Sequence, residues 1–428
     1  MNGEVKNSGI NWLGDIPKSW TVGRVKDFYT LQTGFTPDTK NDTYYDDVNG
    51  KLWVNISDMG NSHYISETKK KISDWYIEKF KPLIVPKGSL LYSFKLSVGT
   101  VAIAGCDLYT NEAIASFLNN DKVNLNYLYY SSQVCIIHNA NENIYGAKLL
   151  NQDLINNAII VFPPLSKQHK IAEYLDKVCG DIDEIVALQE QMIEELKAYK
   201  QSVITEAVTK GLNPNVPMRN SGIDWIGEIP EGWKILQTKR IVHSHLQGYY
   251  DADGYAMSGY RLLRITDLLN DGNLTLKNAP FVKETPKIKD FILQRGDFCF
   301  ARTGGAGSFG YISDDVEPAV FASYLIRFRF FGQNNNFLRY YFLSYSFISE
   351  VNTLIHGGVN KNIHAENIME THLPIPPILE QSAIAYYLDG KCSEIDSLIA
   401  IKQVKIEELK EYKKSIIYEY VTGKKEVV

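Results

Sequence analysis

One stretch of 47 residues occurs twice in this chain, and the duplication constrains the fold more than any other feature of the sequence. Residues 163–209 return as residues 376–422 at a constant offset of 213 positions, and 24 of the 47 aligned residues are identical. A shorter motif, SGIxWxGxIPxxW, follows the same offset at residues 8–20 and 221–233. The segments between the repeats share little sequence. The chain therefore consists of two halves, each with matched flanks around a body of its own.

Each copy of the long segment predicts a helix with a coiled-coil seam. Apolar residues recur at spacings of four and three, which is typical of a and d positions. About 43 helical residues at a rise of ~1.5 Å would form a rod of roughly 65 Å. Gly211 and Gly423 follow the segments, where a C-terminal cap belongs. The predicted seam residues are Ile171, Leu175, Val178, Ile182, Ile185, Met192, Leu196, Tyr199 and Val203, and in the second copy Ile384, Leu388, Ile395, Leu398, Leu409, Tyr412 and Ile416.

Two such seams in one chain would pair with each other. If a pseudo-twofold axis relates the halves, the helices run antiparallel and hold the two bodies at a fixed separation. A polar residue interrupts both seams at the same aligned position, Gln189 in one and Lys402 in the other. Because a polar residue in a seam costs stability but fixes register, we expect these two residues to meet near the axis. The alternative is that both are ordinary exposed positions.

Both bodies predict a mixed α+β structure with much sheet and without the regular alternation of a βαβ fold. The first body contains strand-type runs at 52–56, 90–94, 100–104 and 113–117, then a helix at 124–138. The second repeats this plan loosely at 263–266, 297–301, 320–330 and 336–354. The predicted fold class is therefore α+β, with two α+β domains in pseudo-twofold repeat separated by two long antiparallel coiled-coil helices. The predicted boundaries are 1–162 for the first domain, 163–211 for the first helix, 212–375 for the linker and second domain, and 376–428 for the second helix and tail.

The overall composition indicates an ordinary globular protein of the cytoplasm. The net charge of −5 argues against a simple nucleic-acid coat, although it does not exclude DNA binding. The five cysteines form no CxxC pair, which predicts reduced thiols, and Cys179 and Cys392 are expected to be small buried residues. No charged and then apolar leader opens the sequence, and no apolar run approaches the ~18 residues of a membrane span.

Three repeated motifs together resemble the specificity subunit of type I restriction–modification systems. They are the SGIxWxGxIPxxW strap, the PP(L/I)xxQxxIAxYLD start of each long helix and its IEELKxYKxSxIxE body, and the resemblance covers essentially the whole chain. It implies that the bodies are target recognition domains, each reading one half of a bipartite DNA sequence. It implies that the helices set the spacing and dock two methyltransferase subunits and, through them, restriction subunits. It also implies that this subunit has no catalytic activity and no cofactor.

The search for catalytic motifs agrees with a non-enzymatic role. Residues 305–310 match GxGxxG, but a strand-type run rather than a phosphate-binding helix follows, so a tight turn between strands is the better interpretation. No GxxxxGKS loop and no (Asn/Asp)-Pro-Pro-(Tyr/Phe) tetrapeptide occurs. His243 and His245 have a spacing that could bind a metal, but without a third ligand nearby they indicate a polar strand face. An autonomous methyltransferase or nuclease is thus disfavoured.

A coiled-coil scaffold protein with two domains that bind something other than DNA is the alternative from a different class. It accommodates the acidic charge, but it leaves two dissimilar bodies beside closely matched helices unexplained. For the DNA hypothesis, residues that contact bases or phosphates are expected in loops and at strand ends. The candidates are Thr36, Lys40, Lys69, Lys70, Lys71 and Lys95 in the first body, and Tyr249, Tyr250, Arg261, Arg264, Arg302, Thr303, Lys361 and Asn362 in the second.

Among these candidates, Arg302 is the strongest. It is predicted to end a strand and to precede a glycine-rich turn, which would let its guanidinium reach a guanine. A structural ion pair within the protein is the alternative role for this side chain.

Overall fold

The computed structural model describes residues 4–60, 62–118, 123–249, 254–303, 307–314, 317–354 and 362–427. The chain divides into two compact units, one formed by residues 1–189 with 404–428 and the other by residues 190–403. Each unit therefore contains one body, the first half of the long helix that follows this body, and the last half of the other long helix.

The elements of the first half are short strands and helices followed by one long helix. The strands are β1 Val5–Asn7, β2 Asp15–Pro17, β3 Thr21–Arg24, β4 Leu31–Thr33, β5 Lys51–Val54, β6 Tyr64–Ile65, β7 Lys71–Ile72, β8 Leu90–Ser93, β9 Val101–Ala104, β10 Tyr109–Thr110, β11 Ile114–Phe117, β12 Asn141–Glu142, β13 Lys148–Leu149 and β14 Ile159–Phe162. The helices are α1 Val25–Phe28, α2 Asp74–Phe80, α3 Leu125–Cys135, α4 Gln152–Asn157 and α5 Leu165–Lys210.

The second half has the same kinds of elements in a similar order. The strands are β15 Met218–Asn220, β16 Glu228–Pro230, β17 Lys234–Gln237, β18 Val242–Gln247, β19 Tyr260–Leu263, β20 Phe281–Val282, β21 Phe298–Ala301, β22 Phe309–Tyr311, β23 Ala319–Phe321, β24 Leu325–Phe330 and β25 His372–Ile375. The helices are α6 Asn335–Leu343, α7 Tyr345–Leu354, α8 Ala365–Glu370 and α9 Ile378–Val421.

The two bodies share one sheet plan. In the first, a larger sheet has the order β4-β11-β8-β9-β6 and a smaller one the order β10-β5-β7; in the second, the corresponding orders are β18-β24-β21-β22 and β23-β19-β20. The central strands β8, β9, β11 and β21 are buried on both faces. This burial explains why they read as short continuous apolar runs rather than as alternating ones. The predicted α+β class is confirmed.

The predicted helix at 336–354 is interrupted, and this part of the prediction was wrong. Ser344 separates α6 from α7 and has an extended backbone conformation. Its hydroxyl accepts a hydrogen bond from the backbone N–H of Phe347 at 3.3 Å, as an N-cap residue does. The apolar pattern continues across the break, which is why the sequence alone indicates one helix.

The SGIxWxGxIPxxW motif forms a hairpin strap packed against the end of a long helix. In the first unit, Leu13, Ile16 and Trp20 are buried in the same core as Ile416 and Val421 of α9. The second unit repeats this arrangement with Ile226, Ile229 and Trp233 against Ile204 and Val208 of α5. Ile10 and Trp12 of the same motif are only half-buried, since Leu13 and Ile16 occupy the core side of the hairpin.

The strap of the first unit also requires a glycine at the end of α9. Gly423 has φ +73°, and a Cβ atom there would lie 2.5 Å from Pro17 Cδ. We expect Gly423→Ala to destabilise the protein more than Gly146→Ala, because Gly146 has a similar φ of +76° but no atom within 4 Å of the added Cβ. The difference should be ~1–3 kcal/mol in the free energy of unfolding measured with urea. If both variants lose the same free energy of unfolding, the contact between the added Cβ atom and Pro17 does not destabilise the protein.

The long helices α5 and α9 run antiparallel within each unit. In the first unit, Tyr174 packs on Tyr420 with ring centroids 4.5 Å apart, and Lys413 Nζ lies 2.6 Å from Asp183. In the second unit, Lys200 Nζ lies 2.7 Å from Asp396. This pair is the image of Asp183–Lys413 under the 213-residue offset, so the duplicated sequence makes a duplicated contact. The antiparallel pairing predicted from the sequence is confirmed.

The seam between the helices is shifted from the predicted one in the middle of each helix. Ile185, Met192 and Tyr199 are 42%, 43% and 51% exposed, and Leu398 and Tyr412 are 43% and 58% exposed, so these five seam assignments were wrong. The protected positions are the neighbouring ones, and they keep the four–three spacing: Ile182, Val186, Gln189, Ile193, Leu196 and Lys200 in α5, and Ile395, Ile399, Lys402, Ile406, Leu409 and Lys413 in α9. Each helix carries two apolar stripes, and helical periodicity alone cannot show which of them packs.

Candidate nucleic-acid interface

Backbone hydrogen bonds align the two bodies at positions where their sequences do not. The N–H of Phe35 donates to Thr110 O at 2.9 Å, and the N–H of Tyr249 donates to Phe321 O at 2.7 Å. In the first body the bond joins the segment after edge strand β4 to the end of β10. In the second body it joins the segment after edge strand β18 to the end of β23. Phe35 and Tyr249 are therefore structural equivalents.

A second pair of hydrogen bonds aligns the ends of the central strands. The N–H of Phe94 donates to Ala113 O at 3.0 Å, and the N–H of Arg302 donates to Tyr324 O at 2.9 Å. Arg302 therefore occupies the place of Phe94, which is buried, and Tyr324 occupies the place of Ala113. The same framework thus presents different side chains at the same positions in the two bodies.

In the first body, the predicted residues Thr36 and Lys95 lie around a carboxylate that the sequence analysis missed. The Thr36 hydroxyl donates a hydrogen bond to Glu112 Oε2. This bond holds the pKa of Glu112 below its usual value, and the nearby Lys95 ammonium acts in the same direction. Glu112 is exposed and belongs to the turn between β10 and β11. No sequence motif marks it, because Thr36 lies 76 residues away.

Leu96, beside Lys95, combines an unusual backbone with an exposed apolar side chain. Its φ is +58°, and its side chain is 90% exposed. A leucine in the left-handed region costs roughly 1–3 kcal/mol, so the surrounding loop has to enforce it. Val98 N–H donates to Leu96 O at 3.0 Å, and the Ser93 hydroxyl donates to Lys95 O at 3.0 Å. The loop between β8 and β9 therefore presents an apolar tip next to a cation.

The other predicted lysines of the first body lie at its surface. Lys40 and Lys69 are exposed, Lys70 Nζ lies 4.8 Å from the centroid of the Tyr45 ring, and Lys71 Nζ donates to Val48 O at 3.0 Å. Lys70 and Lys71 thus pack on the loop that precedes β5. Their roles in DNA binding remain predictions.

Two of the predicted arginines of the second body are held by internal contacts. Arg264 forms a bidentate ion pair with Asp267, with nitrogen–oxygen distances of 3.0 and 2.9 Å. Arg261 Nε donates to Glu317 at 3.2 Å, and its guanidinium lies 4.0 Å from the centroid of the Phe281 ring. Either arginine would have to exchange these contacts in order to contact a base.

Arg302 differs from these two arginines. Within the ranges that the structure describes, no hydrogen bond or ion pair engages its guanidinium. Thr303, which follows it, is half-buried. The backbone carbonyl of Arg302 accepts a hydrogen bond from Ile363 N–H at 2.8 Å, and this bond brings the exposed candidate Asn362 to the same strand end. Tyr250 and Lys361 lie outside the described residues.

An aromatic cavity of about 380 Å³ adjoins this part of the second body. Its lining includes the predicted residues Tyr249 and Arg264 and also Tyr255 and Tyr324, which were not predicted. Tyr255 and Tyr324 are 69% and 60% exposed. Exposed tyrosines with a cation are the kind of surface that contacts base edges and thymine methyl groups.

The remaining candidates have simpler placements. His243 and His245 are exposed on one face of β18, and in the described part of the chain no cluster of three or more His, Cys, Asp or Glu residues could hold a metal. Gln189 and Lys402 are half-buried in the seam, and Lys402 Nζ lies 3.4 Å from Met192 Sδ. Their meeting at an axis stays a prediction. No helix in the described ranges is long and apolar enough to span a membrane.

The five cysteines are free thiols. Cys179 and Cys392 are buried beside the helix seams, as predicted. Burial raises the pKa of Cys179 to about 11, so this thiol stays protonated at neutral pH. It packs as a small apolar residue.

The duplicated framework corresponds to a known family. The family model of the type I restriction modification DNA specificity domain matches residues 17–198 and again residues 230–411. The chain belongs to this family. The two matches are displaced by the same 213 residues as the repeats, so each half of the chain contains one copy of the domain.

Specificity subunits of type I restriction enzymes are similar to more than half of the chain. The specificity subunit of MjaVIII from Methanocaldococcus jannaschii is 25% identical over 423 residues, which cover 96% of this chain and 93% of the relative. The specificity subunit of EcoKI from Escherichia coli is 24% identical over 279 residues, which cover 60% of this chain and 55% of the relative. Such specificity subunits recognise DNA and do not themselves catalyse a reaction.

A solved structure supports the fold. A chain from a study of complex assembly and conformational transition of the type I R-M system has a TM-score of 0.70 and 15% identity, and the match covers 95% of this chain and 98% of that one. At this identity the likeness establishes the architecture alone.

Proposed function

We propose that this specificity subunit reads a bipartite, asymmetric DNA target, with one half-site bound by each body. The observation that carries the proposal is that two sheet frameworks of the same plan present different side chains at equivalent strand ends. Arg302 stands in the place of Phe94 and Tyr324 in the place of Ala113. Two readers that share a scaffold but differ at these positions would recognise different base sequences.

The continuous helices α5 and α9 would set the distance between the half-sites. They contain 46 and 44 residues and have no break. Readers on one face of B-DNA contact half-sites with centres roughly 34–36 Å apart, which is one helical turn. A single DNA-binding module buries ~600–1,000 Å² of its surface on DNA. Because the helices hold the two bodies at one distance, the half-sites would be separated by a fixed number of base pairs that neither body reads.

The second apolar stripe on each long helix is suited to dock the methyltransferase subunits. On α5 it contains Ile185, Leu188, Met192 and Tyr199, all 42% to 51% exposed. On α9, Leu398, Ile401 and Tyr412 occupy the positions that correspond to Ile185, Leu188 and Tyr199 under the 213-residue offset, and they are 43% to 64% exposed. Because the stripe occurs twice, it would accept two copies of the same partner. Restriction subunits would join through these partners.

The net negative charge of the chain is consistent with a DNA interface to which partner subunits also contribute. Its net charge of −5 gives little general attraction to phosphates. The methyltransferase subunits would supply much of this attraction in the cytoplasmic complex, while the two bodies supply base recognition. We therefore expect strong, salt-dependent binding to a bipartite duplex in the complex and weak binding by the isolated subunit.

The test is co-expression with the cognate methyltransferase subunits in a host without other adenine methylation, followed by mapping of methylated adenines. The expected result is one motif with two different half-sites and a gap of constant length. An absence of methylation with an intact complex, or a single continuous motif, would contradict the proposal. A scaffold that binds other proteins would give no motif at all.

Replacing Glu112 with glutamine is expected to change one base pair of one half-site. A carboxylate accepts a hydrogen bond from cytosine N4, whereas a carboxamide pairs with adenine, and such contacts discriminate between bases by ~1–3 kcal/mol. Methylome mapping of the Glu112→Gln complex should show reduced selectivity for cytosine at one position and an unaltered second half-site. Glu142→Gln is the control, because Glu142 is also exposed in the same body but pairs with Lys148 in the β12–β13 hairpin. If both variants methylate the same motif as the wild-type complex, Glu112 does not read a base.

A further inference from the structure

A third repeat connects each body to its long helix, and it does not follow the 213-residue offset. Residues 124–130 and 334–340 both fit the pattern NxNzLxY, in which z is Tyr or Phe, at an offset of 210. They contain the N-cap and the first turns of α3 and α6. The chain between this motif and the long helix therefore differs in length between the two halves, and yet the motif makes the same contacts in both.

The first shared contact joins the N-terminus of the body helix to a buried glutamine of the long helix. The N–H of Asn124 donates to Gln168 Oε1 at 2.8 Å, and the N–H of Asn334 donates to Gln381 Oε1 at 2.9 Å. The other end of each carboxamide donates to the first proline carbonyl of its Pro-Pro pair at 2.9 Å. Both glutamines are buried, so each of these polar atoms depends on its partner in the protein.

The second shared contact joins a tyrosine to an aspartate two turns further along. Tyr130 OH donates to Asp176 Oδ1 at 2.8 Å, and Tyr340 OH donates to Asp389 Oδ1 at 2.7 Å. In the first half, Asn126 also donates to Asp176, at 3.0 Å. Two contacts at separate heights along the long helix define an angle, which one contact alone would leave free.

Both tyrosines are buried in the core that their body shares with the long helix, and each join borders a cavity on one side. A cavity of about 610 Å³ borders Tyr130 and Asp176, and one of about 410 Å³ borders Tyr340 and Asp389. Apolar packing holds a body on its helix but is non-directional. At an edge that borders a cavity, the angle between the two depends also on directional hydrogen bonds.

We propose that these contacts form a latch that fixes the angle of each body on its long helix and thereby selects the gap between the two half-sites. The latch consists of Asn124, Tyr130, Gln168 and Asp176 in the first half, and of Asn334, Tyr340, Gln381 and Asp389 in the second. These are positioning residues, since they join a body to its long helix and none of them is among the candidate reading residues. The inference rests on the proposed bipartite function. It explains why dissimilar bodies keep an identical polar join.

The test removes two hydroxyl groups from the complete methyltransferase complex. Tyr130→Phe with Tyr340→Phe keeps both rings and removes both bonds to aspartate. Duplexes with the same half-sites and gaps that differ by one base pair in either direction serve as substrates. The wild-type complex is expected to methylate one gap length. The variant is expected to discriminate roughly tenfold less against the neighbouring gap lengths, with the half-site bases unchanged.

Two further variants separate positioning from general stability. Tyr127→Phe removes another buried hydroxyl of α3, whose single proton faces two carbonyl oxygens, Val161 O at 2.9 Å and Val421 O at 3.2 Å. It should lower the melting temperature and leave the gap selectivity intact. Asp176→Asn with Asp389→Asn keeps an oxygen that can accept the tyrosine hydrogen bonds and should retain most of the selectivity.

Three outcomes decide the proposal. Wild-type gap selectivity in the Tyr130→Phe, Tyr340→Phe complex would overturn the latch, and so would an equal loss of selectivity in Tyr127→Phe. A selective loss in the first variant alone supports it. If the wild-type complex itself shows no bipartite motif, the proposed function fails and not only the latch. The melting temperature of each complex shows whether a variant is folded.

Discussion

A specificity subunit with Leu188→Glu and Ile401→Glu is expected to lose its methyltransferase subunits. The two residues correspond under the 213-residue offset, and they are 51% and 64% exposed on the second apolar stripe of α5 and α9. A carboxylate buried in an interface without a partner costs several kcal/mol. The substitutions should therefore abolish co-purification with the methyltransferase and, with it, adenine methylation in cells.

The control for this experiment adds the same charge elsewhere on the helices. Ala187 and Ala400 are exposed and also correspond under the 213-residue offset, and each lies about 100° around its helix from the stripe residue that follows it. Ala187→Glu with Ala400→Glu should leave the complex assembled. Circular dichroism of both isolated variants would show intact helices, because the seam residues are untouched. Full assembly of the Leu188→Glu, Ile401→Glu complex would exclude the stripe as the docking surface.

The second large effect is expected from Arg302→Ala. Arg302 stands at the end of β21, and in the described ranges its guanidinium has no partner in the protein. A guanidinium that forms two hydrogen bonds to guanine contributes ~1–3 kcal/mol of discrimination. The variant should therefore tolerate several bases at one position of the half-site read by the second body. The half-site read by the first body should stay the same.

Methylome mapping gives both results in one experiment. Arg240→Ala removes an exposed arginine of the same body outside this surface and should preserve the whole motif. If Arg302→Ala leaves the motif unchanged, the arginine does not read a base. If it weakens methylation at all sites equally, the arginine contacts a phosphate instead.

The candidate reading surface could be predicted from the sequence only in part. Thr36 and Lys95 were chosen as polar residues in a loop and at a strand end, and the structure places both beside Glu112. Nothing in the local sequence marks Glu112 itself, because its partner Thr36 lies on another strand connection. Arg264 was also chosen from the sequence as a residue that contacts DNA. Its pairing with Asp267 becomes visible only once the turn between them is folded.

The sequence by itself determined the long helices, their duplication and the family of the protein. Helical periodicity depends on residues three and four apart, so a repeated pattern predicts a helix wherever it occurs. The tertiary structure alone decided which of the two stripes on each helix is buried and how the dissimilar bodies correspond. It also decided that Asn124 and Tyr130 are joined to Gln168 and Asp176. These contacts link residues more than 40 positions apart, and pairing at that distance depends on how whole sheets and helices pack.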